Sequence, residues 1–372
     1  MTLPPLPFPP MEVPARSTRL RAGFDKSGCD ALVVTDLANI RYLTGFTGSA
    51  GLLVVRPEEL VLITDGRYRD QATEQMRAAG VEARLEVGRT AAAQQELAAT
   101  ATAGAPRLGL EAAHVSWAAQ RRYGETWFPD AELVATEGLV EALRVRKDDG
   151  EVARLAAAAA IADAALAAVR HRLGEGPTEA DFALELDSEV RHLGADSASF
   201  ETIVASGPNG AKPHARPGPR PIADGDLVVV DFGATVDGYH SDMTRTTMVG
   251  TPSATQRRML DVVAQSQAMG VAAVTDGVEC VAVDRACRAV IDDAGWGDAF
   301  LHSTGHGVGL DIHEAPRVGS TSTASLAVGH VVTVEPGVYL PRHGGVRIED
   351  TVVVTATGCR PLTLAPKDPY LP

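Results

Sequence analysis

The sequence predicts a two-domain protein of mixed α/β (α+β) class. Its 372 residues exceed what one ordinary hydrophobic core accommodates. Hydrophobic residues make up 45% of the chain and charged residues 22%, as in folded globular proteins. Short strand-like segments and longer helical segments alternate along it. We therefore expect two cores, each built from both kinds of element.

The first domain is predicted from short apolar runs separated by turn residues. A flexible proline-rich leader, MTLPPLPFPPMEVPAR, precedes the amphipathic segment RLRAGFDKSG. The runs ALVVTDL, GLLVV, LVLITD and LGLEA have the length and composition of strands, and QRRYGETW that of a helix. The charged stretch VEALRVRKDDGEVARL is typical of a connection between domains. We place the boundary there, so the predicted domains are residues 1–140 and 141–372.

The second domain begins with two long helices, predicted at about 151–173 and 179–193. The loop ASGPNGAKPHARPGPRP follows, and loops of this length in compact domains are commonly functional or disordered. Next come the strand LVVVDFGATV, a hairpin partner, two helices between about 255 and 294, and a segment rich in glycine and histidine. The strands HVVTVEPGVYL and VRIEDTVVVT close the chain.

The overall charge and the cysteines exclude several classes of function. A net charge of −14 repels phosphate backbones and anionic lipids, so we expect neither nucleic acid nor a membrane as a partner. The apolar run from Leu155 to Val169 is interrupted by Asp163 and is too short to span a bilayer. Four cysteines without a CxxC pair predict reduced thiols rather than disulfides or a thiolate zinc site. A cytoplasmic location is the resulting prediction.

A predicted hairpin places two carboxylates side by side. Asp237 and Gly238 lie between two strand-like runs and form a strong signal for a tight turn. Residue 233 then pairs with Asp242, and Asp231 lies diagonally across from Asp242 on the same face.

The last two strands repeat this arrangement. If residues 341–345 form a five-residue loop, residue 337 pairs with Glu349, and Glu335 is its diagonal neighbour on the same face. Four carboxylates then project from two hairpins. Like charges this close must be neutralised by protons or by metal ions.

The segment LHSTGHGVGLDIHE favours metal ions over protons as the neutralising charge. It supplies the imidazoles of His302, His306 and His313. Carboxylates combined with imidazole suit Mn, Co, Zn or Fe better than Ca or Mg. The glycines beside His306 allow its backbone to approach a crowded site.

Taken in order, DFG followed by SDMTRT, then HSTGHGVGLDIHE, VEPGVY and GVRIED resemble the motifs of the M24 metallopeptidases, the creatinase and aminopeptidase family with the pita-bread fold. In the N-terminal domain, NIRYLTGFTGSAG and TDGRY resemble the Xaa-Pro dipeptidase (prolidase) and Xaa-Pro aminopeptidase (aminopeptidase P) branch. The resemblance implies a C-terminal pita-bread catalytic domain and a smaller N-terminal creatinase-like α/β domain.

The resemblance also implies two divalent metal ions, which we expect to be Mn, with Co or Zn as alternatives. Asp231 would bind one ion, and His306 and Glu335 the other. Asp242 and Glu349 would bridge the pair. The ions would lower the pKa of a water molecule that attacks the peptide bond, and Glu335 would accept its proton.

Three outer histidines, His214, His302 and His313, match positions at which the family holds its substrate and the tetrahedral intermediate. His214 and His313 would donate hydrogen bonds to the peptide and to the oxyanion.

Three further residues are implicated in substrate binding. Arg347 and Tyr339 would lie close behind the metal ligands. Arg317, in HEAPR, matches a position that binds the C-terminal carboxylate of dipeptides in some prolidases, although an exposed loop arginine explains it equally well.

The function implied is hydrolysis of the Xaa-Pro bond at the N-terminus of short peptides by a dipeptidase. Aminopeptidase P activity on longer peptides is the alternative, because the longer insertion that carries a carboxylate-binding arginine in other prolidases is not found in this sequence. A non-catalytic pita-bread binding module is a third possibility, which the complete set of five ligands disfavours. We expect a homodimer, since two-domain relatives usually assemble that way.

Overall fold

A computed structural model describes residues 8–371 of the chain. These residues form two compact units, one at Pro10–Arg144 and one that begins at Val145 and includes residues 8 and 9. Each unit contains both helices and sheets, which confirms the predicted α/β (α+β) class.

The N-terminal unit is built on a six-stranded mixed sheet. Its strands are β1 (Ala31–Val34), β2 (Leu52–Val55), β3 (Leu60–Thr64), β4 (Arg84–Val87), β5 (Arg107–Glu111) and β6 (Glu132–Thr136). Its helices are α1 (Val13–Arg21), α2 (Phe24–Ser27), α3 (Leu37–Thr44), α4 (Arg69–Ala78), α5 (Ala91–Thr102), α6 (Trp117–Arg122) and α7 (Glu141–Arg144). The sheet order is β4-β3-β2-β1-β5-β6. Every residue of β1, β2 and β3 is buried, which explains why these strands are apolar on both faces, with Thr64 at the end of β3 as the exception.

The predicted leader is partly helical. Helix α1 begins at Val13, and Pro14 occupies its first turn, where a missing N–H group costs nothing. Val13 and Arg16 are buried, and Arg16 donates a hydrogen bond to the carbonyl oxygen of Tyr42. The prediction of a flexible leader is therefore wrong for residues 13–16. The leader's residues 1–7 lie outside the described part of the chain.

The C-terminal unit carries four long helices around several small sheets. The helices are α8 (Asp149–Val169), α9 (Glu179–His192), α10 (Ala254–Ala273) and α11 (Cys280–Asp293). The strands are β7 (Ser197–Ala198), β8 (Ile203–Ser206), β9 (Leu227–Phe232), β10 (Ala234–Val236), β11 (Tyr239–His240), β12 (Met243–Met248), β13 (Gly305–Gly307), β14 (Glu314–Val318), β15 (Val331–Val334), β16 (Gly337–Leu340), β17 (Gly344–Arg347), β18 (Asp350–Thr355) and β19 (Gly358–Pro361).

The order of these strands brings distant parts of the sequence together. One sheet has the order β12-β9-β8, and a second has β14-β13-β15-β18-β19. In the sheet β11-β10-β7, strands β10 and β11 continue the hairpin formed by β9 and β12. In the sheet β16-β17, both strands continue the hairpin formed by β15 and β18. All four cysteines are free, as predicted, and Cys280 and Cys287 are buried on α11.

Helix α8 continues into a further helical turn, and the stretch Asp149–Glu175 has the length and composition of a membrane span. The apolar stretch is thus longer than the sequence-based prediction assumed. In the structure, Leu155, Ala162 and Leu166 of α8 are buried, and α8 packs in one core with α9 and β9. The interrupting Asp163 accepts hydrogen bonds from two backbone N–H groups of the C-terminal segment. Packing inside the unit accounts for the apolar composition of this helix.

The first acidic hairpin has the predicted register. Asp237 and Gly238 have φ values of 45° and 69° and form its tight turn. Asp231 pairs with Thr244 across β9 and β12. The same register extends through β10 and β11, so residue 233 lies opposite Asp242. Asp231 and Asp242 are therefore diagonal neighbours on one face.

The second acidic hairpin differs from the prediction by two residues. Leu340 pairs with Gly344, so the loop has three residues rather than five. Gly344 has a φ of 97°, which permits this tighter connection. The pairing of β15 with β18 has the same register, and it places Glu335 directly opposite Glu349. Because side chains alternate with a period of two, both carboxylates stay on the predicted face.

Candidate metal centre and active site

The five residues expected to bind metal line one cavity of about 450 Å³. Each is held at or next to a strand end of the C-terminal unit. They are Asp231 near the end of β9, Asp242 before β12, His306 in β13, Glu335 after β15 and Glu349 before β18. Residues far apart in sequence thus meet because the two acidic hairpins and β13 converge.

His306 is the centre of this group. Its Nε2 atom lies 3.4 Å from Asp242 Oδ2 and 3.5 Å from Glu335 Oε1. Donor atoms of His306, Asp242 and Glu349 lie within 4.8 Å of one another. A β-carbon on Gly305 would lie 2.0 Å from the Thr333 carbonyl oxygen, so the close approach predicted from the flanking glycines is real.

Glu349 indicates that this cavity suits a cation. Its Oε2 atom accepts a hydrogen bond of 2.7 Å from Thr244 Oγ1. Its Oε1 atom is buried and has no hydrogen-bond partner among residues 8–371. Burial, followed by the charges of Asp242 and Glu335, raises the pKa of Glu349 well above its usual value. Because an unpaired buried carboxylate oxygen is costly, these residues fit bound divalent metal ions that accept mixed oxygen and nitrogen ligands.

Protons would partly neutralise the cluster whenever no metal is bound. Burial raises the pKa of Asp242 to about 6 and that of Glu335 to about 7. Burial by itself lowers the pKa of His306, but the hydrogen bond to Asp242 and the charge of Glu335 outweigh it and raise the pKa to about 9. A protonated imidazole therefore supplies positive charge among the carboxylates.

Asp231 reaches the cavity from beside a buried arginine. Its Oδ2 atom accepts a hydrogen bond of 2.5 Å from Arg347 Nη2. Arg347 also donates to Thr244 Oγ1 and to the hydroxyl of Tyr339, at 3.1 Å and 2.8 Å. Arg347 thus lines the cavity but is held by partners on several sides. Its contacts orient Asp231 and, through Thr244, Glu349.

Tyr339 and His302 form a connected pair beside Arg347. His302 Nδ1 lies 2.9 Å from the Ser303 carbonyl oxygen, and Nε2 lies 2.8 Å from the Tyr339 hydroxyl. Burial and the charge of Arg347 lower the pKa of His302 to about 4, so the ring is neutral. Since a carbonyl oxygen only accepts, Nδ1 carries the proton and the Tyr339 hydroxyl donates to Nε2. Both nitrogens of His302 are therefore occupied within the protein.

The other predicted residues lie on the accessible side of the cavity. His214, His313 and Arg317 are exposed cavity-lining residues. The His313 ring packs edge-on against His306 with a centroid separation of 4.4 Å. Burial and the charge of His306 lower the pKa of His313. Arg317 has no hydrogen-bond or ion-pair partner within residues 8–371, so its guanidinium is available to a ligand.

An apolar wall of the cavity was not predicted from the sequence. Phe200, Ile203, Pro213 and Ile312 line it. In the sequence they are scattered over three separate segments, with no periodicity that marks a binding surface. Only the convergence of their segments around the acidic cluster identifies them.

Comparisons with known proteins cover both units. Residues 153–356 match the family model for metallopeptidase family M24, and residues 16–146 match that for the creatinase/prolidase N-terminal domain. An uncharacterised peptidase of Bacillus subtilis, YqhT, is 42% identical over 350 residues, which are 94% of this chain and 98% of that protein.

Two solved structures are similar over nearly the whole chain. A Xaa-Pro dipeptidase from Bacillus anthracis has a TM-score of 0.91 and 39% identity, covering 95% of this chain and 98% of that one. An X-Pro aminopeptidase from Thermotoga maritima has a TM-score of 0.86 and 32% identity, covering 95% of this chain and 99% of that one.

Proposed function

Because this chain belongs to metallopeptidase family M24, a family of metal-dependent hydrolases, we propose that it is a Xaa-Pro dipeptidase (prolidase). One observation carries the dipeptide specificity. The same cavity holds a cluster of carboxylates and, exposed on its lining, the guanidinium of Arg317, which has no side-chain partner within residues 8–371. A dipeptide has a free ammonium group and a free carboxylate only a few bonds apart. Opposite charges in one small cavity match that pattern.

The proposed metal ligands are Asp231, Asp242, His306, Glu335 and Glu349. When bound, the two ions would polarise the scissile carbonyl and lower the pKa of a water molecule. We propose Mn as the metal, and its ligand set is also compatible with Co or Zn. The buried Oε1 atom of Glu349, which has no hydrogen-bond partner within residues 8–371, supports the presence of a metal ion but not its identity.

Side chains of the protein are proposed to accept the proton, to bind the substrate and to position the metal ligands. Glu335 is the proposed proton acceptor, because it lies beside His306 within the cluster. His313 and His214 are exposed on the cavity lining and are the proposed hydrogen-bond donors to the substrate carbonyl and to the developing oxyanion. His302, Tyr339 and Arg347 hold one another, and through Arg347 they hold Asp231.

The apolar wall supports proline as the second substrate residue. Proline presents a compact apolar ring and has no amide N–H group that requires a hydrogen-bond acceptor. Phe200, Ile203 and Ile312 offer apolar surface for such a ring.

A second candidate, aminopeptidase P activity, is favoured by one feature. Arg317, His302 and Ser303 also line an open depression of about 480 Å³ that adjoins the cavity and includes Arg288 and Thr321. A longer peptide would have room to continue there. We further propose a homodimer located in the cytoplasm. We also propose that neither nucleic acid nor a membrane is a partner, and the net charge of −14 supports this last point.

The proposal is tested by hydrolysis of matched peptides with the Mn-loaded protein. A Xaa-Pro dipeptide, the same sequence extended to a tripeptide, and the corresponding Xaa-Ala peptides are compared by kcat/KM. We expect the Xaa-Pro dipeptide to be preferred. Preference for the tripeptide would establish the aminopeptidase alternative, and cleavage without a proline requirement would contradict both.

Replacing Arg317 with methionine is expected to raise KM for the Xaa-Pro dipeptide by about 10–100-fold, because a charge-assisted hydrogen bond is worth about 1.5–3 kcal/mol. The kcat value should change little. Arg342→Met is the matched control, since Arg342 is also exposed but does not line the cavity. An equal KM for Arg317→Met and the wild type would remove Arg317 from substrate binding.

A further inference from the structure

We propose that Lys147 is a positioning residue for the reaction. Its ammonium group holds Glu314, and Glu314 in turn holds the segment 309–313 that presents His313 to the cavity. The kinetic part of this inference rests on the proposed function, whereas its structural part does not.

Lys147 and Glu314 form a buried ion pair. Lys147 Nζ lies 2.8 Å from Glu314 Oε2, and the two side chains are 1% and 7% exposed. Removing charges from water at this depth is expensive, and a buried pair adds little net stability compared with apolar residues of similar shape. A role in fixing one local geometry explains such a pair better than a role in stability.

Glu314 connects this pair to the active-site segment. Its Oε1 atom accepts a hydrogen bond of 3.1 Å from the backbone N–H of Asp311. A β-carbon on Gly309 would lie 2.5 Å from both carboxylate oxygens, so the carboxylate packs directly on the backbone there. Gly309 also donates a backbone hydrogen bond to the Asp311 carbonyl oxygen. The carboxylate therefore supports a closed turn immediately before His313.

Lys147 is itself well anchored. Its backbone N–H donates a hydrogen bond of 2.9 Å to the Gly329 carbonyl oxygen, just before β15. The next residue, Asp148, caps the N-terminus of α8. The ammonium group is thus presented from a rigid backbone segment.

His313 is the functional residue that this support reaches. It lies between Ile312 and Glu314 and is exposed on the cavity, in contact with the His306 ring. If the turn moves, His313 moves relative to His306. A displacement of about 1 Å in a reacting arrangement costs about 100-fold in rate, so loss of the support should be visible in kcat.

The first test is the kinetics of Lys147→Met on the Mn-loaded protein. We expect kcat for the Xaa-Pro dipeptide to fall by about 10–100-fold, with a KM within about twofold and an unchanged metal content. Arg146→Met is the matched control, because it removes the same charge from an exposed neighbouring residue and should leave kcat unchanged. Lys147→Arg, which keeps the charge, should recover part of the loss.

A double-mutant comparison separates positioning from general structure. In a His313→Ala background, Lys147→Met should have little further effect on kcat, because Lys147 acts through His313. Multiplicative losses would overturn the proposal. If Lys147→Met does not fold, Glu314→Gln serves in its place, since it removes the charge and retains an acceptor for Asp311.

The second test needs no activity. The His313 ring signal is assigned in the NMR spectrum of the metal-free protein by its disappearance in His313→Ala. We expect this signal to shift or broaden in Lys147→Met and not in Arg146→Met. An unchanged His313 signal overturns the proposal, whereas absence of peptidase activity in the wild type overturns only the proposed function.

Discussion

Replacing Glu349 with glutamine is expected to reduce kcat by at least about 10³-fold and to release at least one metal ion. The substitution keeps the shape of the side chain but removes the negative charge and one metal-binding oxygen. In the wild type, Glu349 Oε1 is buried and has no hydrogen-bond partner among the described residues, so this oxygen is well suited to bind a cation. Loss of several kcal/mol of charge stabilisation in the transition state corresponds to this rate loss.

Steady-state kinetics and metal analysis of the purified protein measure both effects. Glu175→Gln is the control, because Glu175 is an exposed glutamate of the same unit that pairs with Arg172 at the surface. The metal-free Glu349→Gln protein should unfold at a temperature similar to that of the metal-free wild type, since the raised pKa of Glu349 keeps its buried carboxyl neutral without metal, and the amide of the variant is neutral as well. Retention of both turnover and full metal content would exclude Glu349 as a ligand.

The metal-free protein is expected to lose stability as the pH rises from about 4 to about 7. Burial raises the pKa of Asp242 to about 6 and that of Glu335 to about 7, while both titrate near 4 when the chain is unfolded. Over this window the folded state binds more protons than the unfolded state, so the free energy of unfolding decreases with pH. His306, whose pKa is raised to about 9, adds a loss of the same sign at higher pH. Because one pKa unit corresponds to about 1.4 kcal/mol, the total is on the order of 10 kcal/mol at most.

The stabilisation of the folded protein by metal ions is expected to increase with pH. They bind the deprotonated carboxylates, so the stabilisation by Mn²⁺ should grow across the same window. Urea unfolding at pH 5, 6 and 7, with chelator and with Mn²⁺, measures both curves. In Glu349→Gln the increase in stabilisation with pH should be smaller. A stabilisation by Mn²⁺ that is constant with pH would show that the carboxylates are already ionised without metal.

The two acidic hairpins show how far local sequence information reaches. In the first, the Asp237-Gly238 turn defines the pairing of its strands, because both residues have positive φ and only a short turn suits them. In the second, Pro341 to Gly345 allow more than one loop length, and the predicted five-residue loop is wrong. The error changed the residue opposite Glu349 on the neighbouring strand but not the face of the sheet on which Glu349 lies. A shift of two residues preserves the alternation of side chains between the two faces.

The sequence by itself determined the fold class, the main helices and strands, and the acidic faces of the hairpins, because these depend on periodicity and turn chemistry between near neighbours. The order of the motifs also carried the family resemblance. Only the tertiary structure decided that Asp231 pairs with Arg347, that Phe200 and Ile312 line one cavity, and that Lys147 is buried against Glu314. The two ion pairs join residues that are more than 100 positions apart. No local pattern encodes them, because they arise only when separate sheets and loops pack around one cavity.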